Sequence, residues 1–135
     1  MQKLIRKLIA EAIGTMFLLI AVVGSGIMGV QLAGGNVGIA LLANSIATGG
    51  ALIALIGTFA AVSGAHFNPA VTLFEFAQGR ICRRDAFAYV PVQIASGIAG
   101  VVVAHAMFAL PLVEASTHAR DTTGEFIGEV VATFG

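Results

Sequence analysis

Along this chain apolar residues do not alternate with polar ones at a strand spacing. They fall into three long blocks, 8–32, 37–62 and 86–110, each nearly free of charge. Blocks of this length exceed the roughly 20 residues that carry a helix across a hydrocarbon core of about 30 Å, so the pattern predicts three membrane-spanning helices. The interruptions between them differ in kind. Gly34-Gly35-Asn36 reads as a simple turn. The stretch Ser63-Gly64-Ala65-His66-Phe67-Asn68-Pro69-Ala70-Val71-Thr72 instead sets a turn, a helix cap and a helix start inside strongly apolar sequence.

Asn68 is a good N-cap, because its side-chain oxygen can accept from first-turn amides, and Pro69 follows where a missing N–H costs nothing. A helix is therefore predicted over 69–78, with Gly79 as its stop. Roughly ten residues at 1.5 Å each cover about 15 Å, which is half of the hydrocarbon core. Such a helix enters a membrane without crossing it. Backbone broken at that depth is tolerated only beside packed protein or a water-filled cavity, which points to pore machinery. The positive end of the half-helix would lie near the midplane, where it repels cations and offers hydrogen bonds to neutral solutes.

Composition sharpens this picture. Of 135 residues, 58% are hydrophobic and 10% charged, with a mean hydropathy of +0.96, which places the chain in the membrane range. The net charge of zero implies no bulk attraction to nucleic acid. Placement of charge is more informative. If the spans cross as out, back and out while the half-helix returns to its own side, Lys3, Arg6, Lys7, Arg80, Arg83 and Arg84 share one face and only Arg120 lies on the other. The positive-inside rule then puts the N-terminus in the cytoplasm of a multi-pass protein of the cell (plasma or inner) membrane.

Polar residues within the blocks are the next candidates. A carboxylate at Glu11 is costly against lipid, so it either faces the protein interior or is wetted at the interface. Asn44, Ser45 and Thr58 read as interhelical hydrogen-bonding groups, and the small residues of the first two spans as close-packing notches. Cys82, beside three arginines, has no visible partner acid and reads as chemically inert. Pro91 is placed in the first two turns of the third span, where it disturbs little. The loop 111–123, with Glu114, His118, Arg120 and Asp121, lacks metal-ligand spacing and reads as solvated. No paired catalytic carboxylates or nucleophile with base are present, so neither an enzyme nor a cofactor is expected.

From residue 124 the chain turns apolar again, as the start of a fourth span. Glu129-Val130-Val131-Ala132-Thr133 there echoes Glu11-Ala12-Ile13-Gly14-Thr15, both Glu followed by Thr four residues on. With a half-helix and three complete spans, this suggests a first repeat over 1–123 and the truncated beginning of a second, inverted one over 124–135.

The ten residues Ser63 to Thr72 closely resemble the first Asn-Pro-Ala signature of the major intrinsic proteins, the aquaporin and aquaglyceroporin family. Glu11 to Thr15, Tyr89 with Gln93, and the restart at Glu129 are similar to that family as well. The resemblance implies an all-α membrane fold, here the first inverted repeat of the aquaporin-like fold, with three transmembrane helices, a re-entrant half-helix and the start of a fourth span. It further implies that Asn68 donates its amide to a permeating water or hydroxyl and that Pro69 and Ala70 hold two half-helices together. Ser63, Gly64, Ala65, His66 and Phe67 would present carbonyls along the pore, with His66 shaping the loop. Glu11 would accept from the loop backbone, Gln93 would buttress it, and Glu129 would be the counterpart of Glu11 in the second half.

By the same resemblance Thr48 occupies the filter position on the second helix, where water-selective members carry a large aromatic. Either the filter is wide enough for glycerol, urea or arsenous acid beside water, or Thr48 packs against a bulkier residue from the second half. Glu75 departs from the family pattern and is expected to pair with Arg80 or Arg84. The functional expectation is a passive channel for small neutral solutes, formed with a missing second half and tetrameric when complete. The alternative is a non-conducting membrane fragment that only associates with complete channels. Two copies of the chain inserted in opposite directions are disfavoured by the charge bias.

Overall fold

The computed structural model describes residues 2–113 and 122–134. Among these residues the chain is helical and without strands: α1 (Gln2–Leu32), α2 (Val37–Ser63), α3 (Pro69–Ala77), α4 (Arg83–Met107) and α5 (Thr123–Phe134). Three of them, α1, α2 and α4, are long and apolar enough to cross a membrane. The basic residues that precede the apolar block 8–32 are themselves helical, since α1 begins at Gln2. Glu114, His118, Arg120 and Asp121 lie outside the described residues.

α1 is the hub. It packs against α2 on one side and α4 on the other, and α3 packs against α4. The connection between α1 and α2 is tight because Gly34 and Gly35 adopt φ of 56° and 86°, a conformation that costs a residue with a Cβ. Asn36 then caps α2 by accepting from the Ile39 amide at 3.2 Å. At the opposite end, Lys7 Nζ reaches Asp85 Oδ2 at 2.9 Å, tying the starts of α1 and α4 together. Lys3, Arg6, Lys7, Arg83 and Arg84 are thus gathered at one end of the bundle.

Small residues set the spacing of α1 unevenly. A methyl group on Gly100 of α4 would meet the Met16 carbonyl, and one on Gly29 would press on Ala40 of α2. These are close backbone approaches of the kind membrane helices use. Gly49, Gly50 and Gly57 of α2, expected to do the same, face open space in this chain. The reason is that, among the described residues, α1 is the one helix that packs against α2. Polar groups of α2 also divide. Asn44 Nδ2 crosses to the Val22 carbonyl of α1 at 3.0 Å, but Ser45 and Thr58 donate to Leu41 and Ala54 of their own helix. Their hydroxyl protons are spent one turn back within α2, and among the described residues they make no interhelical bond.

Pro91 lies inside α4 rather than in its first two turns, because the helix starts at Arg83. The helix continues through it, although Pro91 has no N–H to donate to the Phe87 carbonyl one turn back. α5 packs against none of the other helices among the described residues.

Candidate functional site

α3 has only nine residues, about 14 Å of helix. Its start follows from local chemistry. Asn68 has an extended backbone, with φ −150° and ψ 129°, and its Oδ1 accepts from the Ala70 amide at 2.7 Å, while Pro69 takes the first helical position. Capping fixes which way the Asn68 amide faces. With Oδ1 turned to the helix, Nδ2 points away and has no partner among the described residues. Gln78 closes the helix and Gly79, with φ 71°, turns the chain toward α4.

The segment between α2 and α3 is held from α1. Glu11 is completely buried, and its carboxylate gathers four neutral donors: Ser63 Oγ at 2.6 Å and the His66 amide at 3.1 Å on Oε1, the Phe67 amide at 2.7 Å and Gln93 Nε2 at 2.8 Å on Oε2. Burial of a carboxylate is tolerable only with such saturation. Ser63 Oγ also accepts from the Ala65 amide at 3.1 Å, and Tyr89 donates its hydroxyl to the Ser63 carbonyl at 2.8 Å.

The consequence for the loop is directional. In a trans peptide the N–H and the C=O of the same plane point oppositely, and no peptide here is cis. Since the His66 and Phe67 amides face Glu11, the carbonyls of Ala65 and His66 face away from it. That geometry forces Gly64, Ala65 and Phe67 to φ of 92°, 52° and 51°. Two non-glycine residues in this region cost free energy, offset by the bonds to Glu11. The Phe67 ring is buried against Gly14, where any side chain would collide with it, and meets Phe59 edge-on with centroids 6.1 Å apart. Gly14 stands about 18 Å along α1 from Gln2, so α3 starts deep in the bundle.

A second chain of hydrogen bonds runs from Glu11 to His66. Gln93 Nε2, oriented by the carboxylate, also donates to Thr72 Oγ1 at 2.9 Å. Thr72 Oγ1 lies 3.0 Å from His66 Nδ1. The Thr72 hydroxyl also lies 3.2 Å from Gln93 Oε1, so its single proton goes either to Nδ1, matching an Nε2–H ring, or to Gln93, matching an Nδ1–H ring that donates to Thr72. The His66 ring rests edge-on against Tyr89, with centroids 5.4 Å apart. It lines a cavity of about 370 Å³ together with Lys7, Glu75, Arg80 and Tyr89. Of the two arginines expected near Glu75, Arg80 forms the pair, Nη1 to Oε1 at 2.7 Å, and Arg84 turns to Asp85.

Gly64, Ala65, His66, Phe67, Asn68, Pro69 and Ala70 are therefore brought together with Glu11 and Gln93. Thr48 stands apart in α2, half-buried, with its hydroxyl 3.3 Å from Asn44 Oδ1. Glu129 is exposed on α5, and the side chain of Thr133 lies outside the described residues. Cys82 is exposed. Thr72, the Ser63 hydroxyl and Tyr89 also belong to the site, although the sequence reading gives none of these three groups a role of its own there. The four-residue spacing of Tyr89 and Gln93 on one helical face was the available signal.

Comparison with known proteins gives a family model, described as Major intrinsic protein, that matches residues 1–135. Aquaglyceroporin AqpS of Rhizobium meliloti is 48% identical over 132 residues, covering 98% of this chain and 56% of that protein. Probable aquaporin PIP2-8 of Arabidopsis thaliana is 32% identical over 135 residues, 96% of this chain and 49% of its own. Aquaporin Z of Photorhabdus laumondii is 33% identical over 100 residues, 74% of this chain and 42% of its own. The chain spans about half the length of the curated relatives it matches.

Proposed function

The chain belongs to the major intrinsic protein family, and from that membership we propose that it supplies the first half of a passive channel for water and small uncharged solutes. The observation that carries this reading is the pairing of the His66 and Phe67 amides with buried Glu11. It turns the Ala65 and His66 carbonyls outward, directly ahead of an Asn68 whose Nδ2 is free to donate. Acceptors followed by a donor at the positive end of a short helix can replace the hydrogen bonds of a neutral solute in single file, and that end disfavours cations. Pro69 and Ala70 would abut the matching half-helix of the second repeat. Glu129 would serve that repeat as Glu11 serves this one. The complete subunit would carry its own pore within a homotetramer, with its N-terminus in the cytoplasm of the cell membrane.

For the solute we propose glycerol, urea or arsenous acid beside water. Thr48 is small at the proposed filter position, and one relative at 48% identity is called an aquaglyceroporin. Stopped-flow light scattering on proteoliposomes tests both levels of the reading. This chain joined to a second half is expected to pass water and glycerol above empty vesicles, and Thr48→Phe to reduce glycerol flux while sparing water. Equal loss of both would remove Thr48 from the filter. A joined protein that passes neither solute would favour the alternative of a non-conducting fragment, which the faces of α2 that meet no other helix among the described residues keep in view.

A further inference from the structure

At the basic end of the bundle, next to the loop that Phe59 meets through Phe67, α1 and α2 enclose a furrow with two unlike halves. One half is a hollow of about 230 Å³ lined by Lys3, Arg6, Lys7, Ala61 and Val62. The other, of about 220 Å³, is lined by Arg6, Ile9, Ala10, Phe59 and Val62. Arg6 and Val62 are common to both, so the cationic hollow runs directly into the apolar one. Lys3, Arg6 and Lys7 are three and four residues apart, which sets them on one face of α1.

The charge in this hollow is met only in part by the described residues. Lys7 is held by Asp85, but among the described residues Lys3 and Arg6 form no ion pair. The first turn of α1 has no acidic residue, and cations at a helix start are opposed by the helix dipole. Candidate counter-ions are already engaged: Glu11 by the loop, Glu75 by Arg80, Asp85 by Lys7 and Arg84. Glu125 and Glu129 belong to α5, which packs against none of the other helices.

We propose that this furrow binds one anionic phospholipid, with its phosphate on Lys3 and Arg6 and an acyl chain along Ile9, Phe59 and Val62. A guanidinium fork beside an ammonium suits phosphate oxygens, and basic hollows between membrane helices take such headgroups. A free anion would leave the apolar half unexplained, and a neutral lipid the cationic half. The site is independent of whether the pore conducts.

Native mass spectrometry of the whole protein, titrated with phosphatidylglycerol or phosphatidylcholine of equal chain length, tests it. Phosphatidylglycerol is expected to bind more tightly, with its affinity falling about fivefold for each of Lys3→Gln and Arg6→Gln. Ala61→Trp, which fills the hollow from an exposed position without altering charge, is expected to lower binding as well. Arg83→Gln with Arg84→Gln, at the same end but outside the furrow, is expected to leave the preference intact. Equal binding of the two lipids would overturn the proposal. So would a loss from the Arg83 and Arg84 changes as large as that from Lys3 and Arg6, since the attraction would then be diffuse. A drop in melting temperature of the Lys3 and Arg6 variants in lipid-free detergent, with lipid preference unchanged, would assign the furrow to another part of the protein instead.

Discussion

The Phe67 amide donates to Glu11 Oε2 at 2.7 Å across 56 residues of sequence, and this bond holds the strained end of the loop at α1. Glu11→Gln presents an amide group to at least one donor and strips the loop of its charged acceptor. Loss of about 2–3 kcal/mol is expected. A fall in melting temperature in detergent, together with reduced water flux from the joined protein, checks it; an unchanged melt would mean that the loop holds itself.

Gly14→Ala drives a methyl group into the buried Phe67 ring. Overpacking of this kind costs about 1–3 kcal/mol. In the 135-residue chain Gly57→Ala meets nothing, so it should be neutral or gain up to about 1 kcal/mol from helix propensity. Thermal melts of the two variants side by side separate the packed glycine from the bare one, and similar shifts would contradict the placement of Phe67.

Thr72→Val removes the hydroxyl linking Gln93 to His66 and leaves the buried Gln93 amide and the half-buried His66 Nδ1 each one partner short. The expected cost is about 1–3 kcal/mol, with Thr72→Ser close to the parent. Nitrogen NMR of His66 should report a tautomer balance that shifts in Thr72→Val: the Nε2–H form in the parent places the Thr72 proton on Nδ1, and the Nδ1–H form places it on Gln93 Oε1. An unchanged balance in the variant would deny the link between Thr72 and His66.

Glu75→Leu releases Arg80 into the cavity that both residues line. The pair is partly exposed, so stability should change by less than about 1 kcal/mol. Flux is the sensitive readout: an unrestrained guanidinium narrows the mouth, lowering flux, and Glu75→Leu with Arg80→Leu should restore it. Normal flux in the single variant would deny the pair any role at the mouth.

What could be read from the residues alone follows the range of the interactions involved. The start of α3 was legible because Asn68 and Pro69 act on their own first turn, and the three long helices because each is a continuous apolar block. Cost alone kept Glu11 off the lipid without choosing between the interior and the interface, and nothing local distinguishes Asn44, which crosses to α1, from Ser45, which bonds within its own helix. Lys7 and Asp85 are 78 residues apart, and neither announces the other. The open faces of Gly49, Gly50 and Gly57 escaped notice because a small residue signals room for a neighbour, not the neighbour's presence.

The saturation of Glu11 also sets an order of events during synthesis. Ser63 follows Glu11 by 52 residues and Gln93 by 82. At about 5–20 residues per second, the last of these donors leaves the ribosome roughly 4–16 s after the carboxylate it must satisfy. An isolated α1 released into lipid during that interval would carry an unmatched acid within its apolar block. The first helix to be made therefore has reason to stay at the insertion machinery until α4 arrives. Arrested chains ending short of Gln93 should still crosslink there through α1, and chains extending past it should not.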